Sequence, residues 1–284
     1  EFTTWSDIVV LTKGANGRQI PNRLHPKVLE IISKVFGFEK VTKVQNAVIP
    51  LFLTNKDVCV KACTGSGKTL SFVVPLISKL YTLLQEKIVE ARQIEREDND
   101  DKVEETKEEV EESYIETSVQ NNQVLALLLA PSRELAIQIY EVLKMFECLF
   151  QGTDKATGEK RNFFNFIYFI GGDKPEYDIS RINQRGANIV VGTPGRVFDL
   201  IQKSVLNFRK LELLVLDEAD KLLEQGGDEV KMQSILEVLP KQRRTGLFSA
   251  TMPTQLKNMI KTGMRNPYVI EVKTEASGGI FSTQ

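Results

Sequence analysis

"VCVKACTGSGKTL", residues 58–70, joins a strand-like apolar run, a glycine turn and the start of an apolar helix. Glycines at 65 and 67 let the backbone N–H groups of the turn point inward without a Cβ clash. Those N–H groups and the helix N-terminus form a cradle for an anion. Lys68 can then reach the β- and γ-phosphates of a nucleotide, and the Thr69 hydroxyl can hold Mg²⁺. The pattern predicts a phosphate-binding loop, a P-loop, at residues 62–69.

The residues of this loop predicted to bind the nucleotide are Ala62, Thr64, Gly65, Ser66, Gly67, Lys68 and Thr69. Ala62 stands where the first glycine of the pattern is usual. The alternative is a polar turn with one exposed lysine, and turns of that composition are common. Gly-Lys-Thr between a buried strand and an apolar helix is uncommon, so we favour phosphate binding.

Short apolar runs recur along the chain, each followed by a turn and a helical pattern. They lie at residues 57–61, 124–130, 166–170, 188–191, 213–216 and 245–248. Continuous apolarity predicts strands that are covered on both faces. The strand–loop–helix recurrence predicts an α/β domain with a mostly parallel central sheet flanked by helices. Ligands of such sheets bind at the carboxyl ends of the strands.

An acidic corner follows the apolar run at 213–216, in "LELLVLDEADKLLE", residues 211–224. Asp217 would hold Mg²⁺, mostly through water, because Mg²⁺ dehydrates reluctantly. Glu218 would orient and deprotonate the water that attacks the nucleotide. The alternative is an acidic helix start that the helix dipole stabilises. That alternative suits Asp220 better than Asp217, which comes directly off a buried strand.

Composition and charge limit the class of protein. The 284 residues are 42% hydrophobic and 26% charged, which is typical of a soluble globular domain. Residues 86–116 contain 14 acidic and 5 basic residues in a chain of net charge −1, so the remainder is basic and suits a polyanion. The sequence contains no apolar run of about 18 residues, so no membrane span is expected. The three cysteines show no disulfide or metal spacing, which indicates a reducing, intracellular compartment.

Two segments depart from the strand–helix pattern. Residues from about 85 to 123 are rich in Glu, Asp, Lys and Asn and predict a solvated, acidic insertion. A charged helix is the alternative there, because Glu and Lys are good helix formers. Residues 274–284, "TEASGGIFSTQ", have the composition of a linker.

The P-loop followed by Asp-Glu-Ala-Asp at 217–220 resembles the first two motifs of the DEAD-box RNA helicases. Other motifs appear in the family's order: "PSREL" at 131–135, the glycine pair at 171–172, "TPGR" at 193–196 and "SAT" at 249–251. "GFEKVTKVQ", residues 37–45, resembles the family's adenine-reading Q motif. The resemblance implies a RecA-like fold, ATP and Mg²⁺ as cofactors and RNA as partner.

The resemblance also implies roles for single residues. Lys68, Asp217 and Glu218 are the expected catalytic set, and Gln45 is expected to read adenine through its amide. The Q motif departs from the family in having Val41 where proline is usual and Lys43 where proline is common. An aromatic residue that stacks on adenine is expected upstream. Trp5 is the candidate, with a core or edge tryptophan as the alternative. The residues expected to couple nucleotide state to RNA binding are Asp220, Ser249 and Thr251.

RNA contacts are expected where two helices start at one edge of the sheet. The predicted contact residues are Pro131, Arg133, Gly171, Gly172, Thr193, Pro194, Gly195 and Arg196. Helix N-terminal N–H groups, a hydroxyl and an arginine at each position suit RNA phosphates. Such contacts carry no base identity, so binding should be sequence-independent and salt-sensitive. The alternative is ordinary helix capping by Ser132 and Thr193.

The resemblance makes residues 1–273 the N-terminal ATP-binding domain of an ATP-dependent RNA helicase. Residues 274–284 would link it to a C-terminal RecA-like domain. The sequence contains no His-Arg-x-Gly-Arg stretch, which supplies arginines to the γ-phosphate in the family, so this part alone should be nearly inactive. A non-catalytic RNA clamp or scaffold and a DNA translocase are the alternatives.

"LHPKVL" and "PKQRRTGLFSAT" are most similar to helicases that assemble the large ribosomal subunit. This similarity implies pre-ribosomal particles as partners. It also implies a monomer in the nucleus or nucleolus, with the cytoplasm as the alternative.

Overall fold

A computed structural model describes residues 3–13, 18–98, 122–153, 160–224 and 228–272. The predicted linker at 274–284 and residues 99–121 of the predicted insertion lie outside the described residues. In the part of the chain that is described, no helix has both the length and the apolar character needed to cross a membrane.

Eleven strands are described, and seven of them form one parallel sheet. In chain order the strands are β1 (Val9–Lys13), β2 (Gln19–Arg23), β3 (Val58–Lys61), β4 (Ala126–Leu129), β5 (Gln151–Thr153), β6 (Lys160–Asn162), β7 (Phe166–Phe169), β8 (Ile189–Gly192), β9 (Leu213–Leu216), β10 (Arg244–Ser249) and β11 (Tyr268–Glu271). The large sheet has the order β11-β3-β10-β9-β4-β8-β7, and all its neighbours pair in parallel. β1 with β2 and β5 with β6 form two antiparallel hairpins.

Helices connect the strands of the sheet. They are α1 (Pro26–Ile31), α2 (Lys43–Leu53), α3 (Lys68–Asp98), α4 (Arg133–Lys144), α5 (Pro175–Arg185), α6 (Pro194–Gln202), α7 (Ala219–Glu224), α8 (Asp228–Val238) and α9 (Thr254–Gly263). α3 continues through the first part of the predicted insertion, so residues 85–98 follow the charged-helix alternative rather than the loop.

The sheet has a hydrophobic core on each face, which explains the continuous apolar runs. Ala126 and Leu128 of β4 belong to one core cluster, and Leu127 and Leu129 belong to the other. Successive side chains of a strand point to opposite faces, so a strand covered on both sides must be apolar at every position. All six strands predicted from such runs are present in the sheet, with their ends displaced by at most two residues.

The strand order divides the sequence motifs into two adjacent groups at one edge of the sheet. The P-loop follows β3, the SAT motif ends β10 and the acidic motif follows β9, and these three strands are neighbours. The motifs with predicted RNA contacts follow β4, β8 and β7, which are the next three strands. The carboxyl ends of parallel strands meet at the same edge, so both groups face one side of the domain.

Candidate functional site

The P-loop is folded tightly against the Q motif. Gly65 and Gly67 have φ angles of 79° and 91°, in the left-handed region that favours glycine. A Cβ on Gly67 would lie 2.7 Å from the Gln45 Nε2 atom and 2.9 Å from the Thr42 Oγ1 atom. Only glycine therefore fits at this position. Ser66 Oγ closes the turn by donating a hydrogen bond to the Cys63 carbonyl, at 2.7 Å.

Lys68 is the first residue of α3, and its side chain is buried over the loop. Its Nζ donates to the Ala62 carbonyl at 3.0 Å, and its charge lowers the pKa of Asp217. The Ala62 N–H donates to the Ser249 carbonyl at 3.0 Å, which ties the loop to the end of β10. Lys68 and Asp217, predicted to meet at one nucleotide, therefore lie close enough for the lysine charge to act on the carboxylate, although β10 lies between β3 and β9. Thr69, the predicted Mg²⁺ ligand, is half-buried next to Lys68.

Asp217 is a buried carboxylate at the end of β9, with an exposed fraction of 3%. Burial raises its pKa from 3.8 to about 6, and the Lys68 ammonium only partly opposes that rise. The Asp217 N–H donates to the Leu129 carbonyl at 2.9 Å, which fixes the residue beside β4. The protein groups around Asp217 do not offset the cost of burying its negative charge, so the carboxylate suits a divalent cation.

Glu218 occupies the turn between β9 and α7. Its φ of 47° lies in the left-handed region, which is uncommon outside glycine and occurs at functional turns. The Glu218 N–H donates to Asp217 Oδ1 at 3.0 Å, so the two acidic residues are locked together. Glu218 Oε2 accepts from Lys221 Nζ at 2.9 Å. The predicted base therefore has an ion-pair partner in this structure.

The Q motif starts α2 through a capping box. Thr42 Oγ1 accepts from the Gln45 N–H, and Gln45 Oε1 accepts from the Thr42 N–H at 2.8 Å. The capping box starts the helix without a proline at position 41 or 43. Gln45 Nε2 also donates to the Gly67 carbonyl at 3.2 Å. An amide has two acceptor and two donor positions, so one of each is left for adenine. Adenine reading by Gln45 stays a prediction.

Trp5 lies beside the Q motif, because the Val41 N–H donates to the Thr3 carbonyl at 3.3 Å. The indole is only 4% exposed and belongs to the hydrophobic core. A ring that stacks on adenine needs an exposed face, so the structure favours the core-tryptophan alternative for Trp5. Among the residues that the structure describes, none is a hydrogen-bond partner of the buried indole Nε1.

Asp220, Ser249 and Thr251 form one hydrogen-bonded group between α7 and β10. Asp220 Oδ2 accepts from the Thr251 N–H at 2.9 Å and from Thr251 Oγ1 at 2.7 Å. Ser249 Oγ accepts from the Asp220 N–H at 3.3 Å and donates to the Thr251 carbonyl at 2.7 Å. Burial would raise the Asp220 pKa, but the hydrogen bonds from Thr251 and Ser249 outweigh it and lower the pKa. The three residues are together; their coupling role stays a prediction.

On the predicted RNA side, the Arg133 guanidinium lies against the glycine pair. A Cβ on Gly172, whose φ is 131°, would come within 3.0 Å of Arg133 Nη1. Ser132 Oγ accepts from the Leu135 N–H at 3.2 Å, so helix capping does account for the Ser132 hydroxyl. Thr193 makes no such capping bond. Its hydroxyl stays available for the predicted RNA contact, at a half-buried position.

Arg196 corrects the sequence interpretation, which assigned its side chain to RNA. The residue is 5% exposed, and its guanidinium points into the domain. Nη1 donates to Asp178 Oδ2 at 2.7 Å, and Nη2 donates to the Asp173 carbonyl. Pro194 is buried as well, so only Thr193 and Gly195 of this motif are partly exposed for the predicted RNA contact. Sequence reasoning missed Asp178; the available signal was its position four residues before buried Ile182, on the inner face of α5.

The fold and the geometry of this edge define a RecA-like P-loop domain. A family model described as "DEAD/DEAH box helicase" matches residues 42–259. The chain therefore belongs to the DEAD/DEAH box helicase family, and the predicted family and fold class are confirmed.

Several characterised proteins are similar to this chain. It is 41% identical to "ATP-dependent RNA helicase DDX55" of Bos taurus over 271 residues, 93% of this chain and 37% of that protein. It is 38% identical to "DEAD-box ATP-dependent RNA helicase 18" of Oryza sativa subsp. japonica, over 89% of this chain and 32% of that protein. The crystal structure of a DEAD box protein from Methanococcus jannaschii superimposes with a TM-score of 0.64 at 30% identity, covering 95% of this chain and 58% of that one. The chain thus spans about a third of the length of these curated helicases.

The raised pKa of Asp217 predicts a pH-dependent stability in buffer without nucleotide or Mg²⁺. The folded pKa of about 6 exceeds the ordinary value of 3.8, so the folded state binds this proton more tightly than the unfolded state. The resulting stability is complete below pH 3.8 and is lost as the pH rises through 6. Asp217→Asn removes this titration.

Between roughly pH 4 and pH 7 we expect the unaltered chain to lose about 3 kcal/mol of unfolding free energy that Asp217→Asn does not lose. The free energy of unfolding of the variant, relative to the unaltered chain, should therefore rise by that amount. Urea unfolding at several pH values measures the difference. A difference that does not change with pH would contradict the burial of an uncompensated carboxylate.

Proposed function

We propose that the chain is the first domain of an ATP-dependent RNA helicase, which hydrolyses ATP to unwind or remodel RNA. The observation that carries the proposal is the sheet order. The motifs predicted to bind nucleotide follow the neighbouring strands β3, β10 and β9, and the motifs predicted to contact RNA follow β4, β8 and β7. The Asp220–Thr251 hydrogen bonds connect the ends of β9 and β10, which carry predicted nucleotide motifs. β9 in turn pairs with β4, the first strand that carries a predicted RNA motif. The curated relatives, which are named ATP-dependent RNA helicases, support the same function.

The residues of the P-loop and of the acidic corner fit a magnesium–nucleotide complex. Lys68 would exchange its bond to the Ala62 carbonyl for a phosphate oxygen. Thr69 and Asp217 would hold Mg²⁺, which supplies charge neutralisation to the phosphates when bound. Glu218 would leave Lys221, orient the attacking water and accept its proton. Gln45, already bonded to the P-loop, would sense the adenine base.

RNA would bind along the carboxyl ends of β4, β8 and β7 through its phosphates. The donors would be the N-terminal N–H groups of α4 and α6 that no cap uses, the Thr193 hydroxyl, the Arg133 guanidinium and the backbone at Gly171 and Gly172. None of these groups reads a base edge. Binding would therefore be independent of sequence and would weaken with salt.

The decisive experiment compares ATP hydrolysis by this chain and by the longer protein that contains a C-terminal RecA-like domain, with RNA and with DNA of equal length. We expect this chain to bind ATP yet to hydrolyse it about 10³-fold more slowly than the longer protein, because arginines supplied to the phosphates are missing. Only RNA should stimulate the longer protein. Equal stimulation by DNA would favour a DNA translocase, and RNA binding without hydrolysis would favour a clamp.

We further infer that the whole protein works on pre-ribosomal particles of the large subunit, in the nucleus or nucleolus, as a monomer. The stretches "LHPKVL" and "PKQRRTGLFSAT" support this by their resemblance to helicases of that branch. Co-sedimentation of the tagged full-length protein with large-subunit precursors in a sucrose gradient tests it. Sedimentation only as free protein would contradict it.

A further inference from the structure

A buried ionic cluster connects α5 and α6 behind the proposed RNA edge. Asp178 of α5 is 5% exposed, and each of its oxygens accepts from an arginine. Oδ2 accepts from Arg196 Nη1 of α6 at 2.7 Å, and Oδ1 accepts from Arg181 Nη1 at 3.2 Å. Arg181 also donates to the Tyr168 carbonyl at 3.3 Å and lies 5.1 Å from the centre of the Tyr168 ring. Asp178 therefore joins α5, α6 and the edge strand β7.

The same cluster reaches the loop that carries the glycine pair. Arg196 Nη2 donates to the carbonyl of Asp173, the residue that directly follows Gly172. Arg196 is the third residue of α6, three positions after the N-cap residue Thr193. One guanidinium thus connects the loop at 171–173 to the helix N-terminus at 193–196, and Asp178 holds that guanidinium in place.

We infer that Asp178 is a positioning residue for RNA binding: by holding the Arg196 guanidinium inside the domain, it fixes the spacing between the 171–173 loop and the N-terminus of α6. The inference rests on the proposed RNA-binding function. Both segments offer backbone groups, which bind phosphates well only at a fixed separation. Both Asp178 oxygens accept hydrogen bonds, and Arg196 donates through Nη1 and Nη2, although its buried Nε has no partner among the described residues. Removing one partner of a buried pair leaves the other charge uncompensated, so such a pair constrains its neighbours more than a surface contact does.

The variants that test this are Asp178→Asn and Arg196→Gln, which each remove one charge, and the double variant. Glu176→Gln is the matched control, because Glu176 of α5 and Lys203, the C-cap residue of α6, form an exposed ion pair at 3.2 Å. Two measurements use the 284-residue chain. One is the affinity for a fluorescein-labelled single-stranded uridine oligonucleotide over a range of salt. The other is hydrogen–deuterium exchange at the backbone N–H groups of residues 171–174.

We expect Asp178→Asn to weaken RNA binding about tenfold and to speed exchange at residues 171–174 by a similar factor. Arg196→Gln should give the same loss with an unchanged dependence of affinity on salt. The double variant should be no worse than either single variant, because both residues act through one contact. Affinity for a fluorescent ADP analogue should stay within about twofold in all of them, which shows that they fold. Glu176→Gln should behave like the unaltered chain.

Three results would overturn the inference. Exchange at residues 171–174 that is unchanged in Asp178→Asn would show that the loop does not depend on Asp178. A salt slope lowered by about 0.7 in Arg196→Gln would show that Arg196 contacts a phosphate directly. Loss of ADP binding in both single variants, with unfolding, would assign Asp178 to stability alone. If the unaltered chain fails to bind the oligonucleotide, the proposed RNA function fails, while the exchange measurement still decides whether Asp178 positions the loop.

Discussion

Glu218→Gln in the longer two-domain protein should hydrolyse ATP about 10²- to 10⁴-fold more slowly than the unaltered protein, the usual contribution of a positioned base. Glutamine keeps the size and the hydrogen-bonding capacity of the side chain but cannot accept a proton. The turn at Glu218, with its φ of 47° and its N–H bonded to Asp217, does not depend on the charge that is removed. Nucleotide affinity should therefore stay within about threefold, because P-loop contacts are untouched.

Lys221→Gln is the matched control for this variant. It breaks the same ion pair, at 2.9 Å, but leaves the carboxylate of Glu218 intact. We expect hydrolysis by Lys221→Gln to stay within about threefold of normal, because an exposed pair of this kind contributes little. Steady-state phosphate release at saturating ATP and RNA measures both variants. Normal turnover by Glu218→Gln would show that another group accepts the proton.

Lys68→Met should weaken ATP binding by about a hundredfold or more, since it removes charge-assisted contacts to two phosphates. The Lys68 ammonium is buried and also lowers the pKa of Asp217, so its loss leaves that carboxylate without its nearby cation. Titration of a fluorescent ATP analogue into this chain measures the effect without the second domain.

Lys61→Met is the control for Lys68→Met. Lys61 ends β3, close to the same loop, and its Nζ pairs with Glu271 at 2.8 Å in an exposed position. ATP affinity should not change in this variant beyond about twofold, because exposed pairs contribute weakly. Equal losses in Lys61→Met and Lys68→Met would mean that general positive charge, rather than the P-loop lysine, attracts the nucleotide.

The central strands could be predicted from the sequence because burial on both faces requires apolar residues at each position. β11 escaped prediction for the opposite reason: it is an edge strand, with Tyr268 and Val269 about half exposed. The hairpin of β1 and β2 lies outside the main sheet, and Leu11 and Ile20 are exposed on it, so it carries no core pattern. A hydrophobic pattern reports burial, and elements at the margin of the core are therefore invisible to it.

The candidate site could be predicted where chemistry requires a residue type at a fixed place. Glycine at position 67 is such a case, since the Thr42 and Gln45 side chains leave no room for a Cβ. The direction in which a side chain points is set by distant partners and has no local signal. Arg196 turns inward because Asp178 lies 18 positions earlier in the chain, and Trp5 is covered by the core. Sequence reasoning found the position of both residues but not their orientation.

α3 begins with Lys68, the predicted phosphate-binding residue, and continues to Asp98, a length of about 45 Å. Leu84 is buried, and the helix continues beyond it for a further ~20 Å. A rod anchored at one end magnifies any tilt of its first turn at the opposite end. A protein bound to the last turns of α3 would therefore respond to a tilt of the first turn when the nucleotide is exchanged. A dye attached to the last turns would report the same tilt from outside the cleft.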